Sequence, residues 1–176
     1  MMWHTITHLL SSIMLLFFML SQTTTTANDA NNKSLEEIAL LEGSIPEQIG
    51  LLSNLTQLSL YDNRLTGYLP VSLTNLTRLD YLDLSYNNFS GHLPDSFTNL
   101  IRLKTLNLDS NSFSGEFPAL LTDLIHLEEL YLGSISNSFS GELHVSLTNL
   151  THLKRLGLSD NNFSGELPDF ITNLTI

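Results

Sequence analysis

A few residue groups in this sequence have the types needed for metal binding or catalysis. His126 and His152 stand at corresponding places in a repeating pattern, where two imidazoles could hold a metal ion, but no third ligand accompanies them. Residues 109–115 resemble a calcium-binding loop, yet the glycine falls one place late and the terminal glutamate is missing. Serine, histidine and aspartate occur without a spacing that would bring them together. We therefore predict no catalytic residue, no metal site, no cofactor and no enzymatic activity.

Composition excludes further kinds of chemistry and partner. The chain has no cysteine, so disulfides, thiolate metal sites and cysteine nucleophiles are excluded. Eighteen acidic against seven basic residues give a formal charge of −11 over 176 residues, which repels nucleic acid. With 42% hydrophobic and 14% charged residues, the chain suits one folded domain and no nucleic-acid partner.

Asparagine carries the clearest chemical signal. Seven Asn-X-Ser/Thr triplets without proline are acceptors for N-linked glycosylation: Asn32, Asn54, Asn75, Asn88, Asn149, Asn162 and Asn173. Three of them copy one repeated motif and two copy another, so the independent contexts number four. The triplets favour a protein that passes through the secretory pathway.

The N-terminus supports the same route. Residues 9–20, LLSSIMLLFFML, form an apolar run of the length of a signal-peptide core, and small residues allow cleavage near Ala27. The segment before the run has no lysine or arginine, which leaves an uncleaved signal anchor as the alternative. No second apolar stretch near twenty residues follows. We predict a signal peptide over 1–27 and a secreted chain, or a cell-surface chain if it belongs to a longer membrane-anchored receptor.

A repeat sets the organisation of the remaining chain. Its glycines are Gly67, Gly91, Gly115, Gly141 and Gly165, spaced by 24, 24, 26 and 24 residues. Five units match the pattern L-x-x-L-x-L-x-x-N-x-(L/F)-x-G-x-(L/F)-P with few departures over 55–78, 79–102, 103–126, 127–152 and 153–176; the fourth has two inserted residues and His144 in place of proline. All five prolines, Pro46, Pro70, Pro94, Pro118 and Pro168, share one repeat position. Residues 28–54 fit a degenerate first unit that serves as an N-terminal cap.

Such a repeat predicts an α/β repeat fold. Each unit would contribute a short strand, a tight turn and a 3₁₀ or irregular return segment, and would bury its leucines only against neighbouring units. In the strand, Leu82 and Leu84 point inward while Tyr81, Asp83 and Ser85 point outward, because successive side chains alternate between faces. The stacked strands form a curved parallel sheet.

Two further columns are expected inside the stack. The asparagines at one repeat position should bond backbone groups of their own and adjacent turns: Asn63, Asn87, Asn111, Asn137 and Asn161. The Leu or Phe two places later, including Phe89 and Phe113, should fill the core.

The outward strand positions are the ones that the repeat leaves free, so we expect any ligand to bind there. They are Gln57, Ser59, Tyr61, Tyr81, Asp83, Ser85, Thr105, Asn107, Asp109, Glu129, Tyr131 and Arg155. Tyrosines among mixed polar residues suit protein or peptide recognition. The alternative is a solvated sheet face without a ligand.

A basic rim is also expected. Arg78, Arg102, His126 and His152 occupy one column immediately before the strands. Protonation of the histidines below about pH 6.5 would strengthen its attraction for an acidic partner.

The motif N-x-F-S-G-x-L-P in a 24-residue unit resembles the plant-specific extracellular leucine-rich-repeat family, which includes receptor-like proteins, receptor kinases and polygalacturonase inhibitors. The resemblance covers residues 43–176 and implies a curved, twisted solenoid that recognises partners through its exposed sheet. The cysteine-paired N-terminal cap of that family is missing, and the last unit ends at Ile176 without a C-terminal cap.

The resemblance implies a non-enzymatic recognition module in defence or developmental signalling. Its partners would be a protein or peptide ligand and a co-receptor kinase. One alternative is a soluble inhibitor that covers the active site of a secreted hydrolase, as polygalacturonase inhibitors do. A second alternative is an inert product of a truncated receptor.

Overall fold

A computed structural model describes residues 41–116, 119–133, 136–143, 147 and 149–165. These residues contain eleven short strands: β1 Glu42–Gly43, β2 Gln57–Ser59, β3 Arg64–Gly67, β4 Tyr81–Asp83, β5 Asn88–Gly91, β6 Thr105–Asn107, β7 Ser112–Glu116, β8 Glu129–Tyr131, β9 Ser138–Glu142, β10 Arg155–Gly157 and β11 Asn162–Ser164. Four 3₁₀ helices span Glu47–Leu51, Val71–Asn75, Asp95–Asn99 and Ala119–Asp123.

The strands that carry the L-x-L pattern form a five-stranded parallel sheet in the order β10-β8-β6-β4-β2, here called the first sheet. Equivalent residues pair across neighbouring units, as Leu58 with Leu82 and Leu82 with Leu106. Side chains from one repeat position therefore form continuous columns across the sheet. The prediction of a leucine-rich-repeat solenoid with a parallel sheet and 3₁₀ return segments is confirmed.

The return segments also contain a second parallel sheet, which the sequence analysis did not predict. Its six strands run in the order β1-β3-β5-β7-β9-β11. Apart from β1, each of these strands begins just after a column asparagine and covers part of the motif N-x-(L/F)-S/T-G. The segment extends because the asparagine of the following unit accepts a hydrogen bond from its backbone, as Asn111 Oδ1 does from the Phe89 N–H at 3.0 Å.

The core lies between the two sheets and the 3₁₀ helices. Its leucines recur at the same positions of each unit, and Leu82, Leu84, Leu106 and Leu108 are fully buried. A column of phenylalanines continues through the core, with ring centroids 6.2 Å apart for Phe89 and Phe113 and 6.1 Å for Phe113 and Phe139. A single unit would leave these rings against water, so burial depends on the stacked neighbours.

Proline starts the 3₁₀ helices that the structure describes most fully. Pro46, Pro70 and Pro94 precede three of them in an extended conformation, with φ of −75°, −67° and −59°. Proline suits this place because its ring fixes φ near these values. The expectations for Pro118 and Pro168 fall outside the described residues.

Candidate recognition surface

The column asparagines fix the strands and turns beneath the outward face. Asn111, only 1% exposed, donates from Nδ2 to the carbonyls of Leu84, Leu108 and Asp109 at 2.9, 3.2 and 3.1 Å. Its Oδ1 accepts the Phe89 N–H. All five asparagines make such bonds both within their own turn and to the preceding unit. The amides thus link the first sheet to the second.

The twelve outward residues differ in their exposure. Gln57, Ser59, Tyr61 and Arg155 are exposed, whereas Tyr81, Thr105, Asn107, Asp109, Glu129 and Tyr131 are half-buried. The expectation that all twelve are open to a ligand is wrong for Asp83 and Ser85, which are 7% and 0% exposed.

A local hydrogen-bond network satisfies the polar groups of these two buried residues. Asp83 Oδ1 accepts the Ser85 hydroxyl at 2.6 Å and the Ser85 backbone N–H at 3.0 Å. The Tyr81 hydroxyl donates to Asp83 Oδ2 at 3.0 Å. Both acidic oxygens therefore have partners within the chain. Asp83 and Ser85 shape the middle of the face and do not present free polar groups.

Negative charge gathers beside this network. Burial raises the pKa of the Asp109 carboxyl to about 6; a hydrogen bond from the Gly133 backbone opposes the rise, and the Asp83 charge adds to it. Burial, followed by the Asp83 charge, also raises the pKa of the Tyr81 hydroxyl to about 12. Asp109 Oδ1 is buried without a hydrogen-bond partner. The centre of the face is thus a place where another negative charge would be repelled.

Ion pairs balance charge toward the last described strands. Arg155 pairs with Glu129 across β10 and β8, and Lys154 pairs with Glu128. The hydrogen bond from Lys154, with its charge, lowers the pKa of the Glu128 carboxyl. Arg155 is therefore exposed but already paired with an acidic neighbour.

Tyr86, which is absent from the residues predicted from the sequence, extends the face past the end of β4. Its ring is 54% exposed and meets Tyr61 edge to face, with centroids 5.4 Å apart. Tyr86 has φ of +56°, and the matching residues Asp62, Ser110 and Asp160 have φ of +54° to +57°. The sequence signal that could have identified Tyr86 is an aromatic residue at a turn position where the other units have Asp or Ser. The two rings are here called the tyrosine pair.

The predicted modification sites lie on the surface wherever the structure describes them. Asn54, Asn75, Asn88, Asn149 and Asn162 are exposed. Asn32 and Asn173 lie outside the described residues, as does the predicted signal peptide. Glycosylation itself remains a prediction.

Two other findings concern metal and membrane. Among the described residues no group of three or more potential metal ligands converges, and the rings of His126 and His152 lie 6.1 Å apart. None of the same residues forms a helix with the length and apolar content needed to cross a bilayer.

The geometry defines a repeat protein with an exposed parallel sheet, and comparison with known families agrees. The family model described as a leucine-rich repeat region matches residues 33–166. The chain belongs to the leucine-rich-repeat family, and its solved relatives place it with the extracellular plant class. A comparison with curated protein sequences found no significant match.

Several solved structures of Arabidopsis receptor ectodomains are similar to this chain. The ectodomain of the receptor kinase GASSHO1/SCHENGEN3 of Arabidopsis thaliana, in complex with CASPARIAN STRIP INTEGRITY FACTOR 2, is 41% identical over 77% of this chain, with a TM-score of 0.72. The Arabidopsis receptor kinase HAESA, solved with the peptide hormone IDA and the co-receptor SERK1, is 41% identical over 75% of this chain, with a TM-score of 0.67. The ectodomain of the receptor kinase SOBIR1 from Arabidopsis thaliana is 28% identical over 90%, with a TM-score of 0.70.

These relatives differ in length from this chain. The chain spans 16% of the GASSHO1/SCHENGEN3 structure and 22% of the HAESA structure. It spans 97% of the SOBIR1 ectodomain. The array is thus a small part of the long ectodomains and close to the full size of a short one.

Proposed function

We propose that this chain is a non-enzymatic extracellular recognition module that binds a protein or peptide ligand on the outer face of its first sheet. The tyrosine pair is the observation that carries the proposal. The two rings are 52% and 54% exposed, and Asn63 and Asn87 hydrogen-bond the backbone of the turns that carry them. Exposed aromatic side chains on a rigid support are well suited to recognition, because they bury large areas at a small entropic cost.

The acidic centre indicates the ligand chemistry. Asp83 ends β4 and Asp109 lies two residues after β6, and the Asp83 charge contributes to the raised pKa of both Tyr81 and Asp109. A ligand with a cationic or neutral polar segment would meet less repulsion over β4 and β6 than an acidic one. Its apolar side chains would pack on the tyrosine pair.

The solved relatives support this assignment by analogy. HAESA was solved with a peptide hormone and a co-receptor, so we propose the same two classes of partner here. The relatives are ectodomains of receptor kinases, which supports an extracellular place. We propose a role in defence or developmental signalling as the family resemblance implies. We keep the predicted division into a signal peptide over 1–27, a cap over 28–54 and five repeats over 55–176.

A peptide-binding experiment tests the function. Dodecapeptides selected from a random displayed library on the secreted chain would be measured against variants by biolayer interferometry. We expect Tyr61→Ala and Tyr86→Ala each to weaken binding about tenfold, the usual loss at a central aromatic contact. Tyr68→Ala is the matched control, since Tyr68 is 73% exposed but belongs to the return segment. The absence of any enriched peptide, or equal losses in all three variants, would overturn the proposal.

A further inference from the structure

A second surface lies away from the strand face, at the turns that lead into the first-sheet strands. In each turn a leucine N–H bonds the leucine carbonyl three residues earlier, as Leu103 to Leu100 and Leu127 to Leu124, both at 2.9 Å. These four leucines are fully buried. The two central residues of each turn therefore face solvent on a firmly anchored support. These central residues are here called the turn edge: Ser53 and Asn54, Thr77 and Arg78, Ile101 and Arg102, Ile125 and His126, Thr151 and His152.

Two neighbouring turns of this edge carry exposed isoleucines. Ile101 and Ile125 are 59% and 50% exposed, although the matching residues of the other turns are Ser53, Thr77 and Thr151. Because they share one repeat position in successive units, they lie about one strand spacing apart, roughly 4.8 Å. The described part of the turn edge thus has an apolar stripe in its middle and polar residues on both sides.

The same substitutions break a glycosylation motif. Asn75 begins Asn-Leu-Thr and Asn149 begins Asn-Leu-Thr, and both asparagines are exposed. At the matching place the second unit reads Asn-Leu-Ile from Asn99, and the third reads Asp-Leu-Ile from Asp123. Ile101 therefore removes an acceptor while it adds an apolar side chain. The stripe lies between two acceptor positions without being one itself.

Charge gives the chemistry of the partner. None of the ten turn-edge residues is acidic, whereas the whole chain carries −11. Arg102 is only loosely paired, with its Nε 3.9 Å from Asp80 Oδ1 and its side chain 61% exposed. His152 lies against this stripe, since its Nδ1 is 3.1 Å from the Ile125 carbonyl oxygen. Arg78, Arg102 and the two histidines thus surround an apolar stripe with groups that attract carboxylates.

We propose that the turn edge around Ile101 and Ile125 is a docking site for an acidic protein segment that carries an aliphatic side chain between carboxylates. The aliphatic group would cover the two isoleucines, and its flanking carboxylates would meet Arg102 and Arg78. Exposed apolar groups rimmed by polar residues are typical of protein-binding sites. The site shares no residue with the strand face, so either proposal can fail without the other.

A designed peptide tests the docking site directly. The probe is fluorescein-labelled Gly-Glu-Glu-Leu-Leu-Glu-Glu-Gly, titrated by anisotropy against the full chain at low salt, beside a companion with serines for the leucines. We expect saturable binding of the leucine peptide, at least fivefold weaker binding of the serine peptide, and a loss of affinity as salt is raised. Ile101→Gln and Ile125→Gln should each weaken binding about fivefold or more. Val71→Gln is the matched control, since Val71 is 63% exposed on a 3₁₀ helix.

A glycan introduced beside the docking site gives a second test. In a eukaryotic secretory host, Ile101→Thr restores the acceptor at Asn99, whereas the same change combined with Asn99→Gln alters the isoleucine without adding a glycan. With occupancy confirmed by mass spectrometry, the glycosylated variant should lose all measurable binding, and the double variant should lose only the fivefold due to the isoleucine. No binding of the probe to the unaltered chain up to 1 mM, an equal loss with Val71→Gln, or unchanged binding with the glycan present would each overturn the proposal.

Discussion

Asn111→Ala tests how the asparagine column holds the two sheets together. Asn111 makes four hydrogen bonds, but the carbonyls that it serves have other donors. Leu84 O also accepts from Asn87 Nδ2 at 3.1 Å, and Leu108 O accepts from Asn137 Nδ2 at 3.1 Å. Asp109 O accepts the Tyr86 N–H at 3.0 Å. The substitution therefore leaves one buried group, the Phe89 N–H, without its partner.

The expected cost follows from that count. An unsatisfied buried N–H costs about 1–3 kcal/mol, and the space left by the lost amide group adds roughly 1 kcal/mol. We expect Asn111→Ala to lower the free energy of unfolding by about 2–4 kcal/mol. If the substitution left the partners of all four hydrogen bonds unsatisfied, the free energy of unfolding would fall by several kcal/mol more. The shared carbonyls thus make the column more tolerant than its number of bonds suggests.

Asn63→Ala is the matched control. Asn63 makes the equivalent bonds, to Leu60 O at 2.9 Å and from the Leu41 N–H at 2.8 Å. Leu41 and Asn63 are half-buried, so water can replace the lost amide. We expect a loss below about 1 kcal/mol there. Urea unfolding followed by far-ultraviolet circular dichroism measures both values. Equal losses in the two variants would refute the argument that burial of the Phe89 N–H sets the cost.

Two further predictions concern titration and backbone conformation. Because the pKa of Asp109 is raised to about 6 in the fold, the folded chain binds this proton more tightly than the unfolded chain, so stability should fall as pH rises from about 4 to 7. Asp109→Asn should remove that decline and raise the free energy of unfolding at pH 7 by about 1–2 kcal/mol, a value discounted for the partial exposure of the carboxyl. Thermal melts of both proteins across this pH range measure the effect. Melting temperatures that change with pH in the same way for the two proteins would contradict the prediction. Gly91→Ala should destabilise the fold by about 2 kcal/mol or more, because Gly91 has φ of +82° and a methyl group there would overlap the Tyr68 ring. Combining it with Tyr68→Ala should restore only the part of the stability that is lost through overlap with the ring. Full recovery of the free energy of unfolding in urea would show that the backbone conformation of Gly91 costs nothing.

Much of the fold could be predicted because the same leucine pattern recurs in every unit. Leucines that recur every 24 residues can only be buried by stacking, so the first sheet and its register followed from the spacing. The second sheet could not be found this way. Its strands have short, mixed sequences such as N-F-S-G, and their extended shape depends on an amide supplied by the next unit, as Asn111 supplies one to Phe89. A periodic pattern within one unit contains no sign of that contact.

The recognition surface was less predictable, for a related reason. Alternation along a strand identifies the side of the sheet on which a residue lies, but exposure also depends on what adjacent side chains cover. Asp83 and Ser85 lie on the outward side and are nevertheless buried, and Asp83 accepts hydrogen bonds from both Ser85 and Tyr81. Tyr86 lies outside the strand pattern and is nevertheless among the exposed rings. Neither outcome could be derived from column positions alone.

The two surfaces draw on the same scaffold in different ways. The tyrosine pair spans the first two units, so its geometry depends on the angle between them and on the bonds of Asn87 to the Leu60 and Leu84 carbonyls. The isoleucines of the turn edge are anchored by buried leucines within their own turns. Loosening the contact between the first and second units should therefore weaken binding at the tyrosine pair more than binding at the isoleucines, which lie on the second and third units. Asn87→Ala, whose partner N–H belongs to Leu65, should separate the two sites. We expect a marked loss of affinity at the tyrosine pair and a smaller one at Ile101 and Ile125, because Asn87 bonds the second unit to the first and the isoleucines lie on the second and third units.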